Sequence, residues 1–473
     1  MGFAALSKRC AARVAQNCQH GPSTRRIPVL NGPTLPVARL PRMRLLACAA
    51  ALLCGLPGSL RGQIPFEKEP IRYSTAPVHD PIAELQKKID SGEVQLDYDP
   101  RQQYLPALLK VLEVPLSSQM LVFSKTSFQL QKIFPSRPRA LYFNDRVYLG
   151  WVQQGDIIEV ASIDPELGPI FYALDIKQSA TPRFIRDQGQ CLVCHASSRT
   201  QGVPGLLVRS VFSDPSGHPI IGSGTFTTDH TSPLHERWGG WYVTGTHGSQ
   251  RHMGNQVAAK RAGQVDVDRE AGANVTDLSS RLNTSPYLAP HSDLVALMVL
   301  EHQTQMQNYI TRAAYEARSA MAYDRVMNQA LDRPADTMSA STRRRIDSAV
   351  EKLIRYMLFA EEVPLTAPLA GTSTFTNDFS RTGPSDSRGR SLRDFDLQTR
   401  LFKYPCSYLI YSASFDALPP EVLQRVYQRL WDILTSQDTA PEFAHLKPAD
   451  RQTILEILQQ TKSNLPTYWM QAG

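Results

Sequence analysis

Between residues 119 and 176 five short runs rich in β-branched and aromatic residues follow one another: 119–123, 140–143, 147–152, 157–163 and 170–176. Turn formers separate most of them, namely Asn144-Asp145, Gln154-Gly155-Asp156, Asp164-Pro165 and Leu167-Gly168-Pro169. The pattern predicts a small antiparallel sheet or meander. Two further strands are expected at 206–212 and 219–221, around the turn Asp214-Pro215-Ser216-Gly217. Ahead of the sheet, Pro81 opens a helix over 81–90 with Ile82, Leu85 and Ile89 on one face. A second short helix is expected over 102–113. After Pro290 the apolar spacing turns helical, with a long helix over 293–330 behind Ser292 as N-cap and others at 343–360, 419–437 and 447–461. Residues 364–391 are rich in Thr, Ser, Gly and Pro and predict a loop. The fold class is α+β: a β-rich segment, 63–290, followed by a mainly helical C-terminal half, 291–473. No internal repeat is present.

The formal net charge of +7 suggests a polyanion partner until it is located. Residues 1–62 hold nine Lys or Arg and no Asp or Glu. Removing those nine from 51 leaves 42 basic groups against 44 acidic ones, a net of −2 for the remaining chain. That excludes the basic footprint of a nucleic-acid binder. Within 1–62, Met43-Arg44 precedes an apolar run over 45–56, which Pro57-Gly58 ends. A basic end, a short apolar core and a small-residue exit predict a secretory signal peptide, with Met43 as the true start and a periplasmic or secreted mature protein. The competing assignment is a buried core helix. No run of 18 apolar residues occurs, so no stable transmembrane span is expected in the mature chain.

Of seven Cys, four (Cys10, Cys18, Cys48, Cys54) fall in this leader. The three left, Cys191, Cys194 and Cys406, are an odd number and no disulfide framework. Cys191 and Cys194 belong to Cys191-Leu192-Val193-Cys194-His195, the attachment pattern of c-type haem. Two thiols on one turn can each bond one vinyl group of a porphyrin edge. The next residue then places an imidazole under the iron. The expected cofactor is therefore one covalent haem c with its iron, Cys191 and Cys194 as thioether anchors and His195 as proximal ligand, and the β-rich segment is the haem-bearing one. A thioredoxin-like dithiol would need a βαβ context, whereas 196–205 are rich in Ser and Gly. A structural zinc site would need four ligands, and Cys406 is the only other thiol outside the leader.

Residues 187–195 resemble the haem-attachment segment of bacterial cytochromes c. The tracts Tyr142-Phe143-Asn144-Asp145 and Leu397-Gln398-Thr399-Arg400-Leu401-Phe402-Lys403-Tyr404-Pro405 are similar to large secreted cytochrome c-like proteins of bacteria, a group without an assigned reaction. The resemblance implies a single c-type haem and export. The chain departs from small electron carriers: it is several times longer, and strands precede its motif. An all-helical cytochrome fold is not expected.

Residues 226–255 carry His230, His235, His247, His252 and Met253. Met253 is the first candidate for the sixth iron ligand, His302 in the long helix the second and His252 the third. A Met ligand would raise the reduction potential. Each is otherwise a core or hydrogen-bonded side chain. Trp238, Trp241 and Tyr242 are candidates for a pocket wall or for core. Arg209, Arg237 and Arg251 are candidate partners of haem propionates, and Cys406 a small buried hydrophobe. The expected function is electron transfer with a redox partner protein. A haem peroxidase-like oxidoreductase, with Arg251 or His252 as distal acid–base group, and a non-catalytic haem sensor are the alternatives.

Overall fold

Short connections decide the middle of the sheet, because a hairpin loop of two to five residues can only join antiparallel neighbours. In the computed structural model, which describes residues 64–470 except Ala262, six strands pair in simple sequence order. They are β1 (Met120–Val122), β2 (Arg139–Phe143), β3 (Val147–Val152), β4 (Ile157–Asp164), β5 (Gly168–Asp175) and β6 (Phe184–Arg186). The expected leader, with Met43 and four of the cysteines, lies outside the described residues.

The β4–β5 hairpin shows how local chemistry sets the register. The Asp164 carboxylate accepts from the backbone N–H groups of Glu166 and Leu167, both at 2.9 Å. Gly168 then turns the chain at φ +72°. A Cβ there would meet Thr311 Oγ1 at 2.5 Å, so the hairpin tip lies close against a helix.

Alternation along β4 and β5 builds two cores. Ile158, Val160, Ile170, Tyr172 and Leu174 join the main core. Ala161, Ile163 and Phe171 point to the other face, where Leu206 covers them and Cys191 and Leu192 pack against the group. The second face of the sheet is thus the floor on which the Cys-Leu-Val-Cys-His segment sits.

Helices α1 (Pro81–Asp90) and α2 (Leu105–Val111) precede the sheet, and α3 (Leu192–His195) follows it. Next comes the small hairpin β7 (Arg209–Val211) and β8 (Thr225–Thr227). The helical half consists of α4 (Leu294–Ala330), α5 (Ala340–Met357), α6 (Phe375–Ser380), α7 (Ala413–Asp416), α8 (Pro420–Leu434) and α9 (Pro448–Thr461). The 37 residues of α4 span about 55 Å at 1.5 Å per residue. Its N-terminal half is buried on all sides, including the polar side chains of Glu301, His302, Gln303 and Asn308. Helix α5 packs on α4, α8 on α5 and α9 on α8. One hydrophobic core runs from Ile64 to Trp469 through sheet and helices, and the described residues cluster as one compact unit. The β-rich and helical halves therefore share their interior. Among the described residues no helix is long and apolar enough to cross a membrane.

Three local expectations are corrected. The N-cap of α4 is Asp293, whose carboxylate accepts from Val295 and Ala296 N–H; the Ser292 hydroxyl instead bridges Leu121 N–H and the Tyr242 carbonyl. Residues 219–221 form only an isolated bridge at Pro219, since proline lacks the N–H a ladder needs. The 364–391 segment contains α6 and a short ladder, Ala370–Gly371 with Gly245–Thr246. It is held because Asp293 also accepts from Thr372 and Ser373 N–H.

Candidate functional site

The pentapeptide forms a single helical turn. Cys194 and His195 N–H groups donate to the Cys191 carbonyl at 3.2 and 2.9 Å. Asp187 starts the turn, its carboxylate accepting from Gly189 and Cys191 N–H at 2.9 Å each. The turn ends where Ser197 and Thr200 form a reciprocal capping box. Cys191 is half-buried against the sheet and Cys194 is exposed; neither is in a disulfide. Burial, with Asp187 beside it, pushes the Cys191 thiol well above its ordinary range. The intervening Val193 is 81% exposed, so the motif presents an open apolar surface.

His195 is fixed at both ends. Its carbonyl accepts from Gly205 N–H at 2.8 Å, and its Nδ1 lies 2.8 Å from the Gly205 carbonyl. A carbonyl only accepts, so Nδ1 carries the proton and the lone pair resides on Nε2. No described residue hydrogen-bonds Nε2. Burial, with Arg139 nearby, lowers the pKa and keeps the ring neutral, against the Gly205 bond that acts to raise it. A neutral imidazole with Nδ1–H on a backbone carbonyl is the arrangement metal-ligating histidines use. Phe171 from β5 contacts the ring, centroids 4.8 Å apart.

Gly205 is held in turn. The Asn308 side chain from α4 accepts from Leu206 N–H at 2.8 Å and donates to the Leu206 carbonyl at 2.7 Å. A Cβ on Gly205 would stand 2.4 Å from Asn308 Oδ1 and 2.8 Å from Thr200 Cβ. Gly205→Ala is therefore expected to displace the Asn308 clamp and cost about 1–3 kcal/mol, read as a lower denaturation midpoint. Asn308→Ala, which leaves both Leu206 groups unpaired, should cost about the same; an unchanged midpoint in both would show the clamp to be idle.

The other nominated residues lie elsewhere. Met253 is buried with Phe212, Ala258 and Val267 in a separate small core, and the Ser210 hydroxyl donates to its sulfur at 3.7 Å. His302 has both ring nitrogens engaged, Nδ1 with His230 Nδ1 at 2.9 Å and Nε2 with Ser407 Oγ at 2.8 Å. Its ring stacks on Tyr356 and Phe359, and burial holds its pKa well below the usual value. His252 is buried between Trp238 and His247, with its pKa brought down to about 3 by burial and by His247. His247 uses both nitrogens on the Gln250 carbonyl and Asn274 N–H. His235 sits on a half-exposed turn. Among the described residues no hydrogen bond or ring contact joins any of these side chains to His195.

Trp238, Trp241 and Tyr242 belong to the main core. Trp241 donates to the Arg209 carbonyl and Tyr242 to the Pro135 carbonyl, both at 2.7 Å. Cys406 is fully buried and unpaired, its thiol pushed up to about 12 by burial. Sequence reasoning missed Gly205 and Asn308; only the Gly in Pro204-Gly205 hinted at a backbone role.

Among the described residues no group of three or more His, Cys, Asp or Glu side chains is placed to hold a metal ion. Zinc would need such a group; haem iron needs one imidazole from the chain, because the porphyrin supplies four nitrogens. Two free thiols and one oriented imidazole on a single turn fit haem c. Comparison with protein-family models, with curated proteins and with solved structures finds no match for this chain.

Proposed function

We propose that the chain is an exported c-type cytochrome that carries one covalent haem and transfers electrons to a partner protein. The observation that carries this reading is the His195 imidazole: Nδ1 tied to the Gly205 carbonyl at 2.8 Å, Nε2 free, on the same turn as two unpaired thiols. Cys191 and Cys194 would hold the porphyrin as thioethers, and His195 would ligate iron through Nε2. The haem, when bound, supplies a one-electron couple. The chain's own residues do the rest. Asp187 fixes the start of the turn, Gly205 fixes the tautomer and ring plane, and Ala161, Ile163 and Phe171 give an apolar floor that excludes water from one side. A hydrogen bond to Nδ1 raises the basicity of the ligand and favours the ferric state.

One observation favours a second reading. The Met253 sulfur and both ring nitrogens of His302 have partners within the protein, so neither side chain as placed would ligate a haem iron, and a water or small ligand could bind there instead. That supports a peroxide-reactive or gas-sensing haem. The test is the protein secreted from a host with haem-attachment machinery. Pigment that survives acid–acetone extraction supports attachment, and colourless protein refutes it. A low-spin spectrum inert to carbon monoxide and peroxide supports the carrier; a high-spin, ligand-binding spectrum supports the second reading.

A further inference from the structure

Large apolar side chains that stand singly at a surface are ordinary. One group in this protein is not single. Tyr323 and Val326 are 62% and 65% exposed, and Met327 and Leu331 are exposed beside them. Their spacing puts them on one flank of the C-terminal end of α4. The flank is firmly presented. Asp324 accepts from Ser339 N–H at 2.8 Å, Asn328 donates to the Thr337 carbonyl at 2.8 Å, and Thr342 Oγ1 donates to the Ala320 carbonyl at 3.3 Å. These bonds fold the connection between α4 and α5 back on itself, so the two helices meet in a fixed hairpin tip. Glu316 precedes Tyr323 by two turns on the same face and pairs with Arg345 of α5 at 2.7 Å. The side of α5 that carries Arg345 therefore borders the apolar flank.

Positive charge collects at the same tip. Residues 321–345 hold five Arg and three Asp (Asp324, Asp332 and Asp336), a net of +2. Residues 63–473 carry 42 basic and 44 acidic groups, so the rest of them hold 37 and 41, a net of −4. Arg325, Arg333, Arg343 and Arg344 are exposed and make no ion pair among the described residues. Apolar side chains ringed by free cations suit the boundary of an anionic bilayer. The aromatic and aliphatic groups enter it, while guanidinium groups on long stems stay among the phosphates. A second copy of the tip is a poorer partner, because it would set unpaired arginines against unpaired arginines.

We propose that the tip of the α4–α5 hairpin docks on an anionic phospholipid surface. Tyr323, Val326, Met327 and Leu331 enter the headgroup boundary, and the four unpaired arginines bind lipid phosphates. The contact is peripheral, since no described helix is long and apolar enough to cross a membrane, and it does not depend on the haem.

The test is cosedimentation with vesicles of phosphatidylcholine alone and of equal parts phosphatidylcholine and phosphatidylglycerol. Residues 1–62 are basic and contain an apolar run, so protein beginning at Gln63 is used beside the full chain; the described residues share one core. Binding is expected to the anionic vesicles, much more weakly to the neutral ones, and should fall as salt rises. Arg333→Gln combined with Arg344→Gln should weaken it about 25-fold, about fivefold per arginine. Tyr323→Ser combined with Val326→Ser should weaken it about tenfold. All four positions are exposed, so the denaturation midpoint should stay where it is. Tyr323→Trp should add fluorescence that brominated lipid quenches. Absence of binding, equal binding to both vesicles, or binding unchanged in both double variants overturns the proposal. So does a dimer that forms without vesicle binding and is lost in Tyr323→Ser with Val326→Ser, which would make the flank a self-association face.

Discussion

Replacing both Cys191 and Cys194 by Ala should remove all pigment that resists acid–acetone extraction. Each single variant should keep one thioether and move the α band of the pyridine haemochrome to longer wavelength, because one vinyl group is restored. The two singles should differ in stability. Cys191 packs against Ala161, Ile163 and Phe171, so its truncation removes buried contact worth about 1 kcal/mol. Cys194 is exposed and its truncation should leave the folded chain unchanged. His195→Ala should keep the thioethers and lose the proximal ligand, seen as a change of spin state. Pigment retained through extraction in the double variant would mean that the thiols are not the anchors.

The second large effect is expected far from the motif. Arg237 and Glu301 form an ion pair whose side chains are 4% and 0% exposed. Arg237 also donates to the His230 and Ser232 carbonyls. Removing one partner of such a pair leaves a buried charge, so Arg237→Leu should cost about 3–5 kcal/mol at pH 8. Burial raises the Glu301 pKa to about 7, with Arg237 opposing the shift. Its folded pKa therefore exceeds its unfolded one. The folded state binds more protons between those values, and the group's contribution falls as pH rises through about 7. Two consequences follow from that sign. The penalty of Arg237→Leu should shrink at pH 6, where Glu301 can neutralise. Glu301→Gln should gain stability relative to wild type between pH 5 and 8, by up to about 3 kcal/mol. Denaturant melts at the two pH values check both; a pH-independent difference would show that Glu301 does not titrate in this window.

Met253 and His302 are candidate ligands by sequence, yet in the fold each is engaged by other partners. Met253 lies 58 residues after His195, the sort of spacing a distal loop would have. Its environment is made by Ser210, on β7, and by Phe212, Ala258 and Val267. His302 is a candidate by sequence because it lies mid-helix, with Met306 one turn later on the same face. In the fold it meets His230 and Ser407, 72 and 105 residues away. A spacing argument carries no information about which partner satisfies an imidazole first.

What the amino-acid order determined by itself is everything that depends on neighbours in the chain. The β-branched and aromatic runs between 140 and 176, with the turn formers between them, gave strands within a residue or two of β2 to β5. Pro81 marked a helix start because proline suits the first turn. The thiol–thiol–imidazole spacing placed three reactive groups on one turn, since a helical turn needs only nearby residues to close. Tertiary structure alone decided how that turn is held and what surrounds it. Asn308 clamps Leu206 from 102 residues away, Arg237 is taken by Glu301 while Arg209 donates to Thr225, and Ser292 yields the N-cap to Asp293 because its hydroxyl is needed between β1 and Tyr242. The physical reason is common to all three. A polar side chain has several energetically similar local partners, and only the burial imposed by the packed sheet and helices makes one of them compulsory.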